Sequence, residues 1–363
     1  MAVIDQVEVH HLAVPQPHPI RSSYGSALDV LGVVVVHVRD TDGRVGEGWT
    51  YVIGGGAESV ASFLRTELVP LAVGSDPARV RDLWQRMFMH ALSRGRKGVA
   101  MYALSAVDIA VWDLRARTAE QPLHAHLGSV ATSVPVYGDG CWVSMTHDEL
   151  RAAAQSYVDR DFWGVKLKVG ADLDDAVRRV EVVRDVVGPS GRVMIDANQR
   201  YDLLTTRRFD AATRDLDVTW LEEPILADSL HDYARLRGTV DVPIAAGENE
   251  YSRYGFRELL EHEAVDVLQP DVHRVGGVTE LMRILALADT WNVPVAPHTS
   301  WELHSQLACC GTTALVVEYY EWLPEDFFAV RPQIVDGSVL VSDVVGTGTS
   351  IDPTSLERYR VGS

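Results

Sequence analysis

Gly164-Val-Lys-Leu-Lys-Val-Gly170 is an apolar run of strand length in which two lysines stand two residues apart. Its pattern returns as Arg192-Val-Met-Ile-Asp-Ala-Asn198 and as Val218-Thr-Trp-Leu-Glu-Glu-Pro224. Each run is short, rich in β-branched residues and closed by charged or amide side chains, as expected of a buried strand that ends at a polar loop. Amphipathic segments such as Leu173–Val187 separate the runs. Working outward, the same unit recurs upstream from Val134 and downstream from Val242, Val265, Val293 and Ala314. Eight such strands alternating with helices predict a parallel α/β barrel over residues 126–325.

The first 125 residues carry no such repeat. Two strand-like runs, Val3–Val9 and Leu31–Arg39, are followed by an Asp42-Gly43 turn leading toward Trp49. Helical periodicity then appears near 57–70, 77–92 and 99–118, the last with Ala103, Val107, Ala110, Val111 and Leu114 on one face. This predicts an N-terminal α+β layer over 1–125. The segment 326–363, with a hairpin-like stretch from Ile334 to Leu340, is expected to fold back near that layer.

The chain has 363 residues, 47% apolar and 23% charged, which suits a large globular core. Its formal net charge of −18 argues against nucleic acid or an anionic membrane as partner, but leaves room for an anionic small molecule beside a metal ion. The N-terminus shows no apolar signal-peptide core, and Val33–Val36 is far too short to span a bilayer. Three cysteines without ligand spacing (Cys141, Cys309 and Cys310) fit buried thiols in a reducing cytoplasm. Lysine occurs only at 97, 166 and 168, so 30 of the 33 basic residues are Arg. Arg stays protonated in proteins whereas Lys can serve as a base, so the Lys166/Lys168 pair is a candidate for chemistry.

In a barrel, reactive groups gather at the C-terminal strand ends. Here those ends carry Lys166 and Lys168, Asp196 and Asn198, Glu222 and Glu223, Glu248, Asp271, His298 and Glu318 in turn. A single acid in such a place serves as a helix cap, but capping alone does not set residues in register on strand after strand. Asp196, Glu222 and Glu248 are spaced 26 residues apart on three successive strands. Three carboxylates converging at one mouth repel unless a cation lies among them, and an oxygen-only donor set suggests Mg²⁺. Glu223, of opposite strand parity to Glu222, is expected to point away from the metal. The two lysines share a strand face, and mutual repulsion is expected to lower one or both pKa values toward those of a working base. Asp271 beside His298 offers an oriented imidazole as a second acid/base.

Taken together, Lys166-Leu-Lys168, Asp196-Ala-Asn198-Gln199, Trp220-Leu-Glu222-Glu223-Pro224, Gly247-Glu248-Asn249, Gln269-Pro-Asp271 with Arg274-Val-Gly-Gly-Val278, and Pro297-His298 resemble the enolase superfamily, in its mandelate racemase subgroup. The likeness runs from the N-terminal layer to Glu318. It implies a modified TIM barrel, (β/α)7β, with an N-terminal α+β capping domain. It implies that Asp196, Glu222 and Glu248 hold Mg²⁺, that Lys168 and His298 (oriented by Asp271) act on opposite faces of a carbon next to a carboxylate, and that Lys166 and Glu318 stabilise the enediolate. It also implies a homo-oligomer. The muconate-cycloisomerase-like branch needs a further lysine on strand six, which this chain lacks.

A small-molecule carboxylate is therefore the expected partner. Asn198, the capping-loop residues His18, Arg21 and Tyr24, and Trp301 with His304 after strand seven are candidate substrate contacts. Their polarity favours an aldonate or aldarate over a hydrophobic acid such as mandelate. Dehydration to a 2-keto-3-deoxy acid is the expected reaction. Racemisation or epimerisation of a 2-hydroxy acid is the alternative, and a non-catalytic carboxylate-binding barrel is the reading from another class.

Overall fold

The structure, a computed structural model, describes residues 2–21 and 27–362, with side chains for 2–17 and 29–362. Strands β1 (Ile4–Arg21), β2 (Ala27–Asp40) and β3 (Val45–Ile53) form an antiparallel sheet in the order β1-β2-β3. The Val33–Val36 run makes the centre of β2, where β-branched side chains pack well on a pleated surface. Alternation sends Val34, Val36 and Val38 to one face, against helices α1 (Ala57–Phe63), α2 (Val80–Ala91) and α3 (Val99–Thr118). Leu31, Val33 and Val35 face the other way, where Phe327, Phe328 and Ile351 of the C-terminal segment cover them.

Helix α3 is buried nearly all round, not on one face as its periodicity predicted. It lies between sheet and barrel. On the sheet side it presses so close that a Cβ at Gly46 or Gly48 would stand 2.2 or 2.3 Å from the carbonyl oxygens of Ala110 and Ala106. On the barrel side Trp112 Nε1 donates to Thr279 Oγ1 at 2.8 Å, and Trp84 Nε1 of α2 donates to the Gly276 carbonyl at 2.7 Å.

The barrel strands are β4 (Ser133–Cys141), β5 (Val165–Lys168), β6 (Val193–Asp196), β7 (Val218–Glu222), β8 (Ile244–Ala246), β9 (Val267–Leu268) and β10 (Val317–Tyr319). All pair in parallel from β4 to β9, and β10 pairs in parallel with β4. The seventh position is reduced to parallel bridges from Val295 to Leu268 and to Ala314, which close the circle. The enolase-superfamily architecture, capping domain plus α/β barrel, is thus present.

The expected 334–340 hairpin forms, but its second strand pairs with the start of β4, Val339 opposite Val134. Besides Phe327 and Phe328, which precede the hairpin, the tail reaches the N-terminal sheet through the stretch beyond it, at Ile351 and an Arg360 bridge to Leu12. Among the described residues no helix is long and apolar enough to cross a membrane.

Candidate active site and metal centre

Strand alternation builds the site. Tyr137, Met194, Trp220, Val267, Ala296 and Val316 form an apolar layer inside the barrel. Two residues further along each strand, on the same face, stand Asp139, Asp196, Glu222, Gln269, His298 and Glu318, all buried. Hydrogen bonding keeps the strands level, with Lys168 opposite Asp196 and Asp196 opposite Glu222. A polar tier therefore sits on an apolar floor.

Within it, one carboxylate oxygen from each of Asp196, Glu222 and Glu248 lies within 4.8 Å of the other two. Burial raises the Glu222 pKa to about 8, with the Lys166 charge opposing and the Asp196 charge adding to the rise. Glu248 goes the other way, to about 2, because His298 and Arg274 outweigh its burial. Its Oε2 accepts no hydrogen bond. Three buried carboxylates, one with an oxygen that accepts no hydrogen bond although His298 Nε2 stands 3.2 Å away, fit a hard divalent cation. Gln269 Nε2 bonds Glu222 at 2.6 Å and Asn198 Nδ2 bonds Asp196 at 2.8 Å, so amides orient two of the acids. Asn198, expected against substrate, thus contacts Asp196, one of the three candidate metal acids. Glu223 points elsewhere, bonded at 2.9 Å by Gln199 and by Asn249, although it too is buried.

Lys166 Nζ bonds both oxygens of Glu222 at 2.8 and 2.9 Å and stands 2.7 Å from Glu318. Lys168 Nζ bonds Asp196 and lies 3.2 Å from Asp139. The expected fall in lysine pKa is not found. Burial pushes both down, but the surrounding carboxylates, Glu222 and Glu318 for Lys166 and Asp139 and Asp196 for Lys168, push both above the ordinary value. Mutual repulsion is outnumbered by acids, and a cation shared by Asp196 and Glu222 competes with the lysines for the same oxygens.

On the other side of the mouth, His298 Nδ1 lies 3.0 Å from Asp271 and Nε2 lies 3.2 Å from Glu248. Burial lowers the His298 pKa, but Glu248 and the Asp271 hydrogen bond bring it above the ordinary value. Asp271 also accepts from Tyr51 of β3 and lies 3.4 Å from Arg274 Nε; burial raises its pKa, but the His298 hydrogen bond and then the Arg274 charge hold the carboxyl far below the ordinary range. Burial raises the Glu318 pKa, and its Oε2 accepts from the Thr299 amide at 2.8 Å.

Other expected contacts fall elsewhere. In the helix Trp301–Ala308 the Trp301 ring packs with Val136, Val317 and Tyr319 on the outer face of the barrel strands. His304 is tied to the Thr299 carbonyl at Nδ1 and the Val272 amide at Nε2. Tyr24 and the side chains of His18 and Arg21 lie outside the described residues. Instead, the wall beside Lys168 is aromatic: Trp142, Tyr320 and Trp322 cluster there, with Lys168 Nζ 5.4 Å from the Trp142 ring centre. Asp139 and Tyr51 were not anticipated. Asp139 was accessible to the alternation argument, two residues beyond Tyr137; Tyr51 comes from the other domain and gave no strand-end signal.

Residues 149–355 match the family described as enolase C-terminal domain-like, and residues 6–128 match the mandelate racemase/muconate lactonizing enzyme N-terminal domain. The chain is 30% identical to a 3,6-anhydro-α-L-galactonate cycloisomerase of Streptomyces coelicolor, over 99% of this chain and 100% of that one. It superposes on a racemase from S. coelicolor A3(2) with bound magnesium at a TM-score of 0.96, with 30% identity over 99% of this chain and 100% of the other. The L-talarate dehydratase of Polaromonas sp. JS666, complexed with Mg and L-glucarate, superposes at 0.94, with 31% identity over 100% of this chain and 98% of the other.

Proposed function

The chain belongs to the mandelate racemase/muconate lactonizing enzyme family of the enolase superfamily, whose cofactor is Mg²⁺, and from that premise we propose that it dehydrates an aldonate or aldarate to a 2-keto-3-deoxy acid. The observation that carries this reading is the placement of two acid/base groups around one acid cluster. Lys168 reaches it from β5, through Asp196, and His298 reaches it from the seventh strand position, through Glu248.

Asp196, Glu222 and Glu248 would hold Mg²⁺, which when bound would supply positive charge to the substrate carboxylate and favour loss of the proton from the neighbouring carbon. Lys168 takes that proton. Lys166 lends its charge to the developing oxyanion, and Glu318, 2.7 Å from Lys166, is the carboxyl placed to hydrogen-bond it. His298, whose raised pKa favours the imidazolium, gives its Nε2 proton to the departing β-hydroxyl, which leaves as water. Asp271, Tyr51 and Arg274 hold the ring in place. The resulting enol tautomerises to the keto acid. The rings of Trp142, Tyr320 and Trp322 offer apolar faces to the C–H side of a sugar chain.

A second reading has its own support in the full-length likeness to a cycloisomerase. If the β-oxygen belongs to a ring, the same proton abstraction opens that ring and no water is lost. Return of the proton to the opposite face, without elimination, gives a racemase or epimerase.

Proton NMR in D₂O with Mg²⁺, across aldonates, aldarates, a 3,6-anhydro acid and mandelate, tests the proposal. A 2-keto-3-deoxy product formed from an aldonate or aldarate with loss of water supports dehydration. Ring opening without water loss, or α-proton exchange with inversion, replaces it by one of the other two.

A further inference from the structure

We propose that Glu8, His10 and His37 form a second, transition-metal site, of Zn²⁺ type, on the capping sheet. One donor atom of each lies within 4.8 Å of the other two. Among the described residues this is the sole such cluster besides the three barrel acids, and it differs from them in chemistry: two imidazoles and a carboxylate suit Zn²⁺, whereas three carboxylates suit Mg²⁺.

The strands put the three side chains together. Glu8 and His10 share a face of β1, and Glu8 stands opposite His37 of β2. Further along that face Leu12 and Val14 are buried under the C-terminal segment, so the cluster sits where the face emerges from cover. A small cleft of about 120 Å³, lined by Gln6, Glu8, His37, Arg39 and Val45, opens beside it.

His10 is the residue that needs explaining. Its Nε2 is buried and has no hydrogen-bond partner, and the nearest acid oxygen, Glu8 Oε2, is 3.6 Å away. That is too long for a hydrogen bond, but close to the roughly 3.4 Å that separates two ligands of one tetrahedral ion with bonds of about 2.0–2.1 Å. The rings of His10 and His37 meet edge to face at 5.3 Å between centres. His37 Nε2 lies 3.1 Å from Glu47 Oε2, whose other oxygen accepts from the Ile351 amide at 2.9 Å. An imidazole oriented through one nitrogen by a fixed carboxylate is the arrangement that metal-binding histidines adopt. Burial, His37 and Arg360 lower the His10 pKa, with Glu8 and Glu357 opposing. An unprotonated ring keeps the lone pair that a metal needs.

Such an ion ties β1 to β2 midway along their pairing, and so couples capping-domain stability to the metal. Zn²⁺ titration into full-length enzyme saturated with Mg²⁺, followed by calorimetry and thermal melting, tests this. Binding of one further equivalent, with a rise in Tm, is expected. Since changes merely in the surroundings of a metal ligand cost about 10–100-fold in affinity, His10→Gln and His37→Gln should each weaken binding by roughly 100-fold or more. The double barrel variant Asp196→Asn/Glu222→Gln should retain it. Co²⁺ in place of Zn²⁺ should give the visible bands of a low-coordinate site, lost in His10→Gln. If Zn²⁺ affinity is unchanged in both histidine variants, or disappears in the barrel variant alone, the proposal is overturned.

Discussion

Lys168 Nζ stands 3.2 Å from Oδ2 of Asp139, and the same oxygen is 3.9 Å from Lys166 Nζ. One carboxylate on β4 therefore faces both lysines, and it is not among the three acids proposed to hold the metal. Burial lowers the Lys168 pKa, and the Asp139 charge is the largest influence raising it. Asp139→Asn removes that charge. The base must lose its proton to work, so the acidic limb of the kcat/KM profile should move to lower pH. A pH-rate series on variant and wild type checks this, and an unmoved or oppositely moved limb rules out the role.

Lys168→Met should lower kcat by about 10²–10⁴-fold or more, the contribution typical of one acid/base group. Mg²⁺ affinity should hold or rise, because the three carboxylates are untouched and Lys168 no longer competes for Asp196. Ligand binding by calorimetry separates this from a barrel that only binds carboxylates: such a protein would have no turnover to lose.

His298→Asn should separate two events that the wild type couples. With Lys168 intact, deuterium should still enter next to the carboxylate, while water loss falls by roughly 10²–10⁴-fold. Normal dehydration by the variant with each substrate that the wild type accepts would remove His298 from the mechanism.

Much of this site could be read in the sequence because strand geometry is periodic. Once 166 and 168, or 196 and 198, are placed on strands, period two decides which side chains share a face, and the 26-residue spacing of Asp196, Glu222 and Glu248 decides that they are neighbours. What escaped needs three dimensions. The lysine pKa values depend on counting every acid around them, including Asp139 from a strand read only as apolar. Trp301 directly follows a strand-end loop, but its helix turns the ring to the outside of the barrel. Tyr51 reaches Asp271 across 220 residues of chain, and no local pattern reports that contact.

Chelation should abolish turnover and also lower thermal stability. Without a cation, Asp196, Glu222 and Glu248 keep three acids buried within 4.8 Å of one another. Ligand linkage gives about 2.7 kcal/mol of stabilisation at a free metal concentration of roughly 100 times Kd. Melting curves in EDTA and in graded Mg²⁺ measure this. Asp196→Asn should weaken the dependence on Mg²⁺, and an identical dependence in that variant would place the metal elsewhere.

The seam between the two domains should respond to pH through Asp108 of α3. Its two carboxyl oxygens bond Thr279, at 2.7 Å to Oγ1 and 2.8 Å to the amide, on the barrel side. Burial raises its pKa from 3.8 to about 7, with the Thr279 bonds and Arg283 opposing. The folded state thus holds a proton that the unfolded chain releases near 3.8. Below that pH both states are protonated and the group costs nothing; between 3.8 and about 7 stability falls as pH rises; above about 7 the loss is complete. At roughly 1.4 kcal/mol per pKa unit the loss has an upper limit of about 4 kcal/mol. Asp108→Asn cannot ionise. Its Tm should lie below that of the wild type at pH 5, where the wild-type hydrogen bonds are intact, and should close on or pass it by pH 8. Melting curves that stay parallel across this range would mean that Asp108 is ionised in the folded protein throughout.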